Sequence, residues 1–313
     1  MKQYILRRLL SIIPVLLLVS MISFSLVLLT GDPVKAILGS ETDLETIERT
    51  RQQLGLDQAI HIQYLKWLGR VLQGDLGYSF QNKQPVMEAI LQRFPVTVWL
   101  NVVTLAITII IGIPAGLISA LKRNSPVDFL TSVISLIGVT MPNFFLAIIL
   151  IYIFSIGLNW LPPSGYVDPL QDPIAGFKSL LMPAITLGTA EAASIARMTR
   201  SSAQQVLAKP YITTAKAKGL PQKLIITRHL IKNSMIPVTT MLGMLIGISF
   251  GGAVVTETIF SLPGLGRLVV NSILARDFPM VQGTIIVLSL AFLLSNLVVD
   301  ILYAYLDPRI QYQ

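Results

Sequence analysis

The residues able to do chemistry in this 313-residue chain are few, and their spacing excludes more than it permits. Cysteine is absent and the two histidines, His61 and His229, are far apart, so disulfides, thiolate metal sites and Cys nucleophiles are excluded. The sequence offers no Ser–His–Asp set, no paired carboxylates and no Gly-x-x-x-x-Gly-Lys-Ser/Thr phosphate loop. Gly74-Asp75-Leu76-Gly77-Tyr78-Ser79 is a glycine turn too short to be a nucleotide fingerprint. What remains is a handful of acids in or beside apolar runs: Glu191 and Asp300 within them, Asp128 and Glu257 at their ends. An ionisable group in hydrocarbon is costly and marks either a solute pathway or a buried pair. Glu191, with small neighbours, is expected to line a pathway or to pair. Glu257 is expected at an outer mouth, touching solute or pairing with Arg267 or Arg276, and Asp300 near the inner end in a structural role.

A second chemical feature is a basic island. No acidic residue occurs from Ala192 to Thr256, whereas Arg197, Arg200, Lys209, Lys216, Lys218, Lys223, Arg228 and Lys232 fall in its first part. Pro210 can open a short helix, because the first helical position needs no amide. Tyr211, Thr214, Ala215 and Lys218 then share a face. Gly219 is placed for a left-handed cap and Pro221 for a second start, so Leu207–Pro237 reads as two short helices at an angle. Ala215 and Ala217 leave room for another surface to approach. Two readings fit these residues: a helix presented to a groove on another protein, or a basic loop held near anionic lipid. His229 is expected to be solvated or part of the same contact.

The elements that position these residues are membrane spans. Apolar residues make up 53% of the chain and charged ones 13%, about half the share found in soluble domains. Mean hydropathy is +0.69. The fold is expected to be all-α and polytopic, with spans at about 9–30, 98–121, 129–156, 180–197, 238–255 and 283–304. The first is about 33 Å long as a helix, long enough to cross, and Pro14 near its start costs little there. Pro142 should kink or break the third near Gly138–Pro142. The net charge of +8 is expected to reflect inward-facing loops, since Lys2, Arg7, Arg8, Lys122, Arg123 and the island all fall on one side. That asymmetry predicts an N-in, C-in topology.

Between the spans, residues 31–95 are soluble in character and nearly balanced in charge, as suits an outer segment. Gly31-Asp32-Pro33 ends the first span. Helices are expected over Thr42–Gln53, ending at Gly55, and over Ile60–Leu72, ending at Gly74. Residues 158–177, with Trp160, form an outer loop, and 259–282 another outer segment. The expected division is therefore 1–95, a permeation core over 96–306 containing a cytoplasmic loop at 200–237, and a tail at 307–313. Close helix packing is expected at Gly112-x3-Gly116, at Gly188, Ala192 and Ala196, and above all along the stripe Gly243, Gly247 and Gly251.

Ala215-Lys216-Ala217-Lys218-Gly219, followed after a spacer by Ile236-Pro237, resembles the EAA loop of ABC-importer permeases, although Thr214 stands where that family has its leading Glu. The longer run Lys209-Pro210-Tyr211-Ile212-x-Thr214-Ala215-Lys216-Ala217-Lys218-Gly219-Leu220 is similar to the dipeptide, oligopeptide, glutathione and nickel branch of type I importers. Similar matches are Arg7-Arg8, Gly31-Asp32-Pro33, Gly74-Asp75-Leu76-Gly77-x-Ser79, Ala196-Arg197-x-Thr199-Arg200, Glu257-x-Ile259-Phe260-x-x-Pro263-Gly264-Leu265-Gly266, Arg276-Asp277-x-Pro279 and Asp307-Pro308-Arg309. The long outer segment resembles the "B-type" subunit.

The resemblance implies a type I permease fold with six transmembrane helices in the cytoplasmic (inner) membrane of a bacterium or archaeon. It implies alternating access for di- or oligopeptides, with glutathione, nickel or a metal chelate as alternatives. The implied partners are a homologous second permease, two ABC ATPase subunits carrying ATP and Mg, and an extracytoplasmic binding protein. Nucleic acid is not among them, and this chain is expected to hold no cofactor. The ATPase-docking contact falls on Tyr211, Thr214, Ala215, Lys216, Ala217, Lys218 and Gly219, with Arg200 and Lys223 flanking. The competing classes are an ion-coupled secondary transporter or channel and a membrane-embedded enzyme or scaffold. Acid chains and inverted repeats would favour the carrier, and a catalytic constellation the enzyme.

Overall fold

A computed structural model describes residues 2–30, 34, 43–53, 56–79 and 81–306. Gly31-Asp32-Pro33, Gly55, the side chain of Asp300 and the tail with Asp307-Pro308-Arg309 lie outside the described residues. The chain is helical almost throughout: α1 (Lys2–Thr30), α2 (Leu44–Gln53), α3 (Ile60–Leu72), α4 (Val86–Leu121), α5 (Pro126–Thr140), α6 (Asn143–Gly157), α7 (Pro173–Leu207), α8 (Pro210–Ala217), α9 (Gln222–Ile259), α10 (Leu265–Leu274) and α11 (Phe278–Leu306). Strands β1 (Tyr78–Ser79) and β2 (Gln84–Pro85) form a two-residue antiparallel hairpin. Among the described residues, five helices are long and apolar enough to cross a membrane, or six when α5 and α6 count as one broken span.

A helix, or the broken pair α5–α6, covers each expected span, and most helices outrun it. α4 begins at Val86 and α9 at Gln222, because polar, helix-compatible residues continue the ladder beyond the apolar run. Pro14 is not near a helix start: α1 begins at Lys2, so the proline is interior. The Pro142 break is sharp. Met141 and Pro142 are both extended, as a pre-proline residue prefers, and α5 and α6 meet at 106°. Two π-helical stretches, Ile151–Gly157 in α6 and Ile225–Ile231 in α9, had no counterpart in the sequence reading.

Contacts divide the chain into two compact units. One contains Lys2–Thr97 and Pro263–Leu293, so the segment after α9 joins the N-terminal region. Its reason is a shared core in which Leu76, Val86, Ala89 and Ile90 pack with Leu265, Leu268 and Met280. Gly74 and Gly77 take positive φ (84° and 92°), freeing the chain to turn into β1. There Ser79 Oγ donates to the buried carboxylate of Asp277, tying the hairpin to the start of α11. In the same unit, Phe24 on α1 packs its ring against Tyr64 and Trp67 of α3, at 5.6 and 5.5 Å between centroids.

The other unit contains Val98–Leu262 and the chain from Leu294 onward, and α7 is its central helix. A Cβ added at Gly112 would stand 2.8 Å from the Ala192 carbonyl oxygen, and one at Gly116 would stand 2.4 Å from that of Ala196. The two small-residue patterns read separately in the sequence are therefore two sides of one contact. Gly138 on α5 meets Thr189 and Ala193 on another part of α7. The expected stripe on α9 is not one surface within this chain. Gly243 abuts Val299 of α11 and Gly247 is buried, but Gly251 is exposed with open space where a Cβ would go. Eight residues at four-residue spacing drift around a helix, since 3.6 residues make a turn.

These contacts rank three substitutions. Gly116→Ala meets backbone, which cannot rotate away, and should destabilise the protein by about 1–3 kcal/mol. Gly243→Ala meets Val299 as far as its Cβ, 2.8 Å away, which rotation cannot clear, and should cost a similar amount. Gly251→Ala should be neutral or gain up to about 1 kcal/mol from helix propensity. Thermal unfolding in detergent checks the order, and a Gly116→Ala protein as stable as wild type would refute the contact.

Candidate functional site

The loop between α7 and α9 begins as its residues dictate. Pro210 occupies the first position of α8, with Lys209 extended before it. The helix closes in a Schellman cap: the Leu220 amide donates to Ala215 O (3.3 Å), and the Gly219 amide to Lys216 O (2.9 Å), with Gly219 at φ +73°. The second short helix is not separate. After Pro221, the chain runs from Gln222 straight through the π stretch and Pro237 into α9.

Burial sorts the faces of α8. Ile212 (1% exposed) and Ala215 (6%) pack inward with Ala120, Ala203, Val206, Ile225 and Leu230. Tyr211, Thr214, Lys216, Ala217, Lys218, Gly219 and, beyond the cap, Lys223 are exposed. Ala215 is thus a correction: it moors the loop to its own unit instead of offering room to a partner. Its position three residues after Ile212 places both on the inward face. Ala217 keeps the outward role. The Tyr211 ring lies 6.5 Å from that of His229, which is half-buried.

Above this loop is an ionic clasp that the sequence reading did not assemble. Arg200 on α7 grips Asp128 on α5 with two bonds, Nε to Oδ1 at 2.7 Å and Nη2 to Oδ2 at 2.9 Å. Ser119 Oγ of α4 donates to Oδ1 (2.5 Å) and the Asn124 amide to Oδ2 (3.0 Å). Four donors satisfy a carboxylate that is almost wholly buried. Arg200 had been placed beside the docking contact and Asp128 only at a span end. The available signal was Ser125-Pro126 three residues before a lone acid, a helix start that fixes where the carboxylate points.

Glu191 joins three helices. Its oxygens accept from Thr108 Oγ1 of α4 (3.2 Å) and from Ser249 Oγ of α9, and the residue is half-buried. Glu257 is fully buried near the end of α9, which leaves its expected pairing role open and gives it no exposed face toward a mouth. Phe260 and Leu262, both buried, follow it, and the Leu262 amide folds back onto Glu257 O (2.9 Å).

Residues 112–312 match the family model described as the binding-protein-dependent transport system inner membrane component, and residues 1–101 match its N-terminal companion. The chain belongs to this family. Along its full length it is 43% identical to the glutathione transport system permease proteins GsiC of Escherichia coli O6:H1 and E. coli O1:K1, over all of both chains. The same identity and coverage hold for GsiC of Salmonella paratyphi A. It is therefore an inner-membrane permease subunit of an ABC importer, not itself an enzyme, in systems whose ATPase and binding protein are other subunits. The carrier, channel and membrane-enzyme readings fall with that assignment.

The clasp carries a prediction for the permease. Asp128→Ala and Arg200→Ala should each lower stability by about 1–3 kcal/mol, a range reduced because Arg200 is one-third exposed. Bonded partners are not independent, so the double variant should lose clearly less than the sum. Strict additivity in thermal unfolding would show that the two side chains do not act together.

Proposed function

We propose that this permease forms half of the pathway of an importer of glutathione. The observation carrying this reading is its full-length 43% identity to permeases named for glutathione transport. Glutathione is a small peptide, so the reading narrows the di- and oligopeptide class drawn from sequence and keeps that class as the second substrate range to test. A homologous second permease supplies the other half, an extracytoplasmic binding protein delivers the solute, and ATP and Mg are held by two ATPase subunits.

In this reading the chain is oriented N-in, C-in, supported by the basic residues of the 207–237 region and of the Lys122–Arg123 loop. The exposed face of α8, with Tyr211, Thr214, Ala217 and Lys218, meets the ATPase, and Lys216, Gly219 and Lys223 border that contact. Ile212 and Ala215 hold α8 against α4, α7 and the start of α9, so displacement of the loop displaces spans. Docking changes the inward–outward balance only where the ATPase dimer binds the loop differently in its two states. Glu191 contributes to the pathway by holding α4, α7 and α9 in register.

Reconstitution of all subunits in proteoliposomes tests the substrate. Labelled glutathione should enter with ATP and should be competed by short peptides only at higher concentration. ATP-driven uptake of peptides without glutathione uptake would transfer the assignment to the peptide class. For the docking face, Ala217→Trp adds bulk outside the chain's own core. It should cut uptake about tenfold by removing a central interface contact, while the permease still reaches the membrane. Undiminished uptake would remove the contact from this face.

A further inference from the structure

Helix α3 (Ile60–Leu72) has 13 residues and is about 20 Å long, too short to cross a hydrocarbon core of about 30 Å. At helical spacing its side chains divide into three sectors. Tyr64, Trp67 and Val71 face inward, Trp67 buried and the others half-buried. Gln63, Lys66 and Arg70 share a narrow polar sector, with both basic side chains exposed. Ile62, Leu65 and Leu72 share a third, apolar and open, in which Leu65 is 62% exposed and Leu72 80%. An apolar sector this open on a helix that does not span marks a surface that something covers.

The place where α3 is fastened decides what covers it. Tyr64 Oη shares a hydrogen bond with Ser20 Oγ of α1 (2.8 Å), and the Phe24 ring of α1 meets those of Tyr64 and Trp67. The apolar run of α1 extends over Arg8–Val27. Ser20 and Phe24 therefore stand about 10 and about 5 Å inside its C-terminal end, at about 1.5 Å per residue. A helix lying in the membrane interface buries its apolar face to that depth, about 5–10 Å. Tyr and Trp are the residue types that gather at this level. The open sector also continues an existing apolar surface, since Leu18, Met21 and Ile22 of α1, around the fastening, are exposed as well. On their own face, Lys66 and Arg70 have stems long enough to raise their charges to lipid phosphates.

We propose that α3 is an interfacial helix, seated in the lipid leaflet beside the C-terminal half of α1. Ile62, Leu65 and Leu72 enter the acyl region, and Lys66 and Arg70 stay at the headgroups. Lipid, together with α1, then fixes the height at which the segment between α1 and α4 stands on the membrane. The proposal is independent of which solute is imported and of which side that leaflet faces.

The chain has no cysteine, so single nitroxide labels can be placed on it in the assembled importer, with cysteine-free partner subunits, in phospholipid nanodiscs. Labels on Leu65→Cys and Leu72→Cys should collide with lipid-soluble oxygen more often than with a water-soluble nickel chelate. Labels on Lys66→Cys and Arg70→Cys should show the reverse order. All four positions are exposed, so the substitutions leave the chain's own core intact. An excess of nickel collisions at 65 and 72 would place the apolar sector in water. Low collision rates with both reagents there would place it under protein, either another segment of this chain or a partner subunit. Either result overturns the proposal, as does the same order at all four positions.

Discussion

Helix Pro173–Leu207 and helix Val86–Leu121 approach until backbone touches side chain, with the carbonyl oxygens of Ala192 and Ala196 facing Gly112 and Gly116. In a bilayer the tails are as apolar as leucine, so burial of grease does not pull two spans together. Close van der Waals packing and polar contacts do that work. Such packing needs an absent side chain at the right spacing on one helix and a small one on the other. The arrangement of this unit follows from that requirement. Gly138 brings α5 against α7 by the same means, so α7 becomes the helix on which its neighbours register.

Once α7 is fixed, its polar residues have fixed neighbours. Glu191 reaches hydroxyls on α4 and α9, and Arg200 reaches the carboxylate at the start of α5. Nearer its C-terminal end, Ser202 Oγ donates to Ser234 O of α9 (2.9 Å), while Ala203 and Val206 enter the core that receives Ile212 and Ala215. One helix thus carries small residues, polar ties and the mooring of α8 in succession. The loop is packed onto α7 and onto the first turns of α9. The π stretch Ile225–Ile231 is within those first turns, where a wider ladder lets a helix change its winding.

What could be read from sequence were the features written locally. Pro210 and Gly219 punctuate α8 as their backbone chemistry demands, and Pro142 breaks the third span for the same kind of reason. What could not be read depends on distant partners. Ala215 and Ala217 are chemically identical, and only the position of Ala120, Ala203 and Leu230 decides that the first is inside. Gly251 looked equivalent to Gly243 until Val299 was found beside only one of them. Helix starts were set too late because the first turns of α4 are amphipathic, not apolar, and pack on Leu76, Leu265 and Met280. The distance of Glu257 from a span end says nothing of its burial, which is complete.

The Asp128–Arg200 pair shows why a costly interaction is worth keeping in this architecture. Removing two charges from water costs several kcal/mol each, and an apolar pair of equal volume often holds helices as well. An apolar contact, however, tolerates rotation and sliding. Two parallel N–H···O bonds, at 2.7 and 2.9 Å, do not. Ser119 and the Asn124 amide complete the carboxylate's bonding, so the orientation is specified from α4, the 122–125 loop and α7 together. The clasp occurs on α7 between the close contact at Ala196 and the loop-mooring residues Ala203 and Val206. A helix pinned there cannot absorb a push from the loop by turning in place. Under the docking reading proposed above, the displacement then passes to its neighbours.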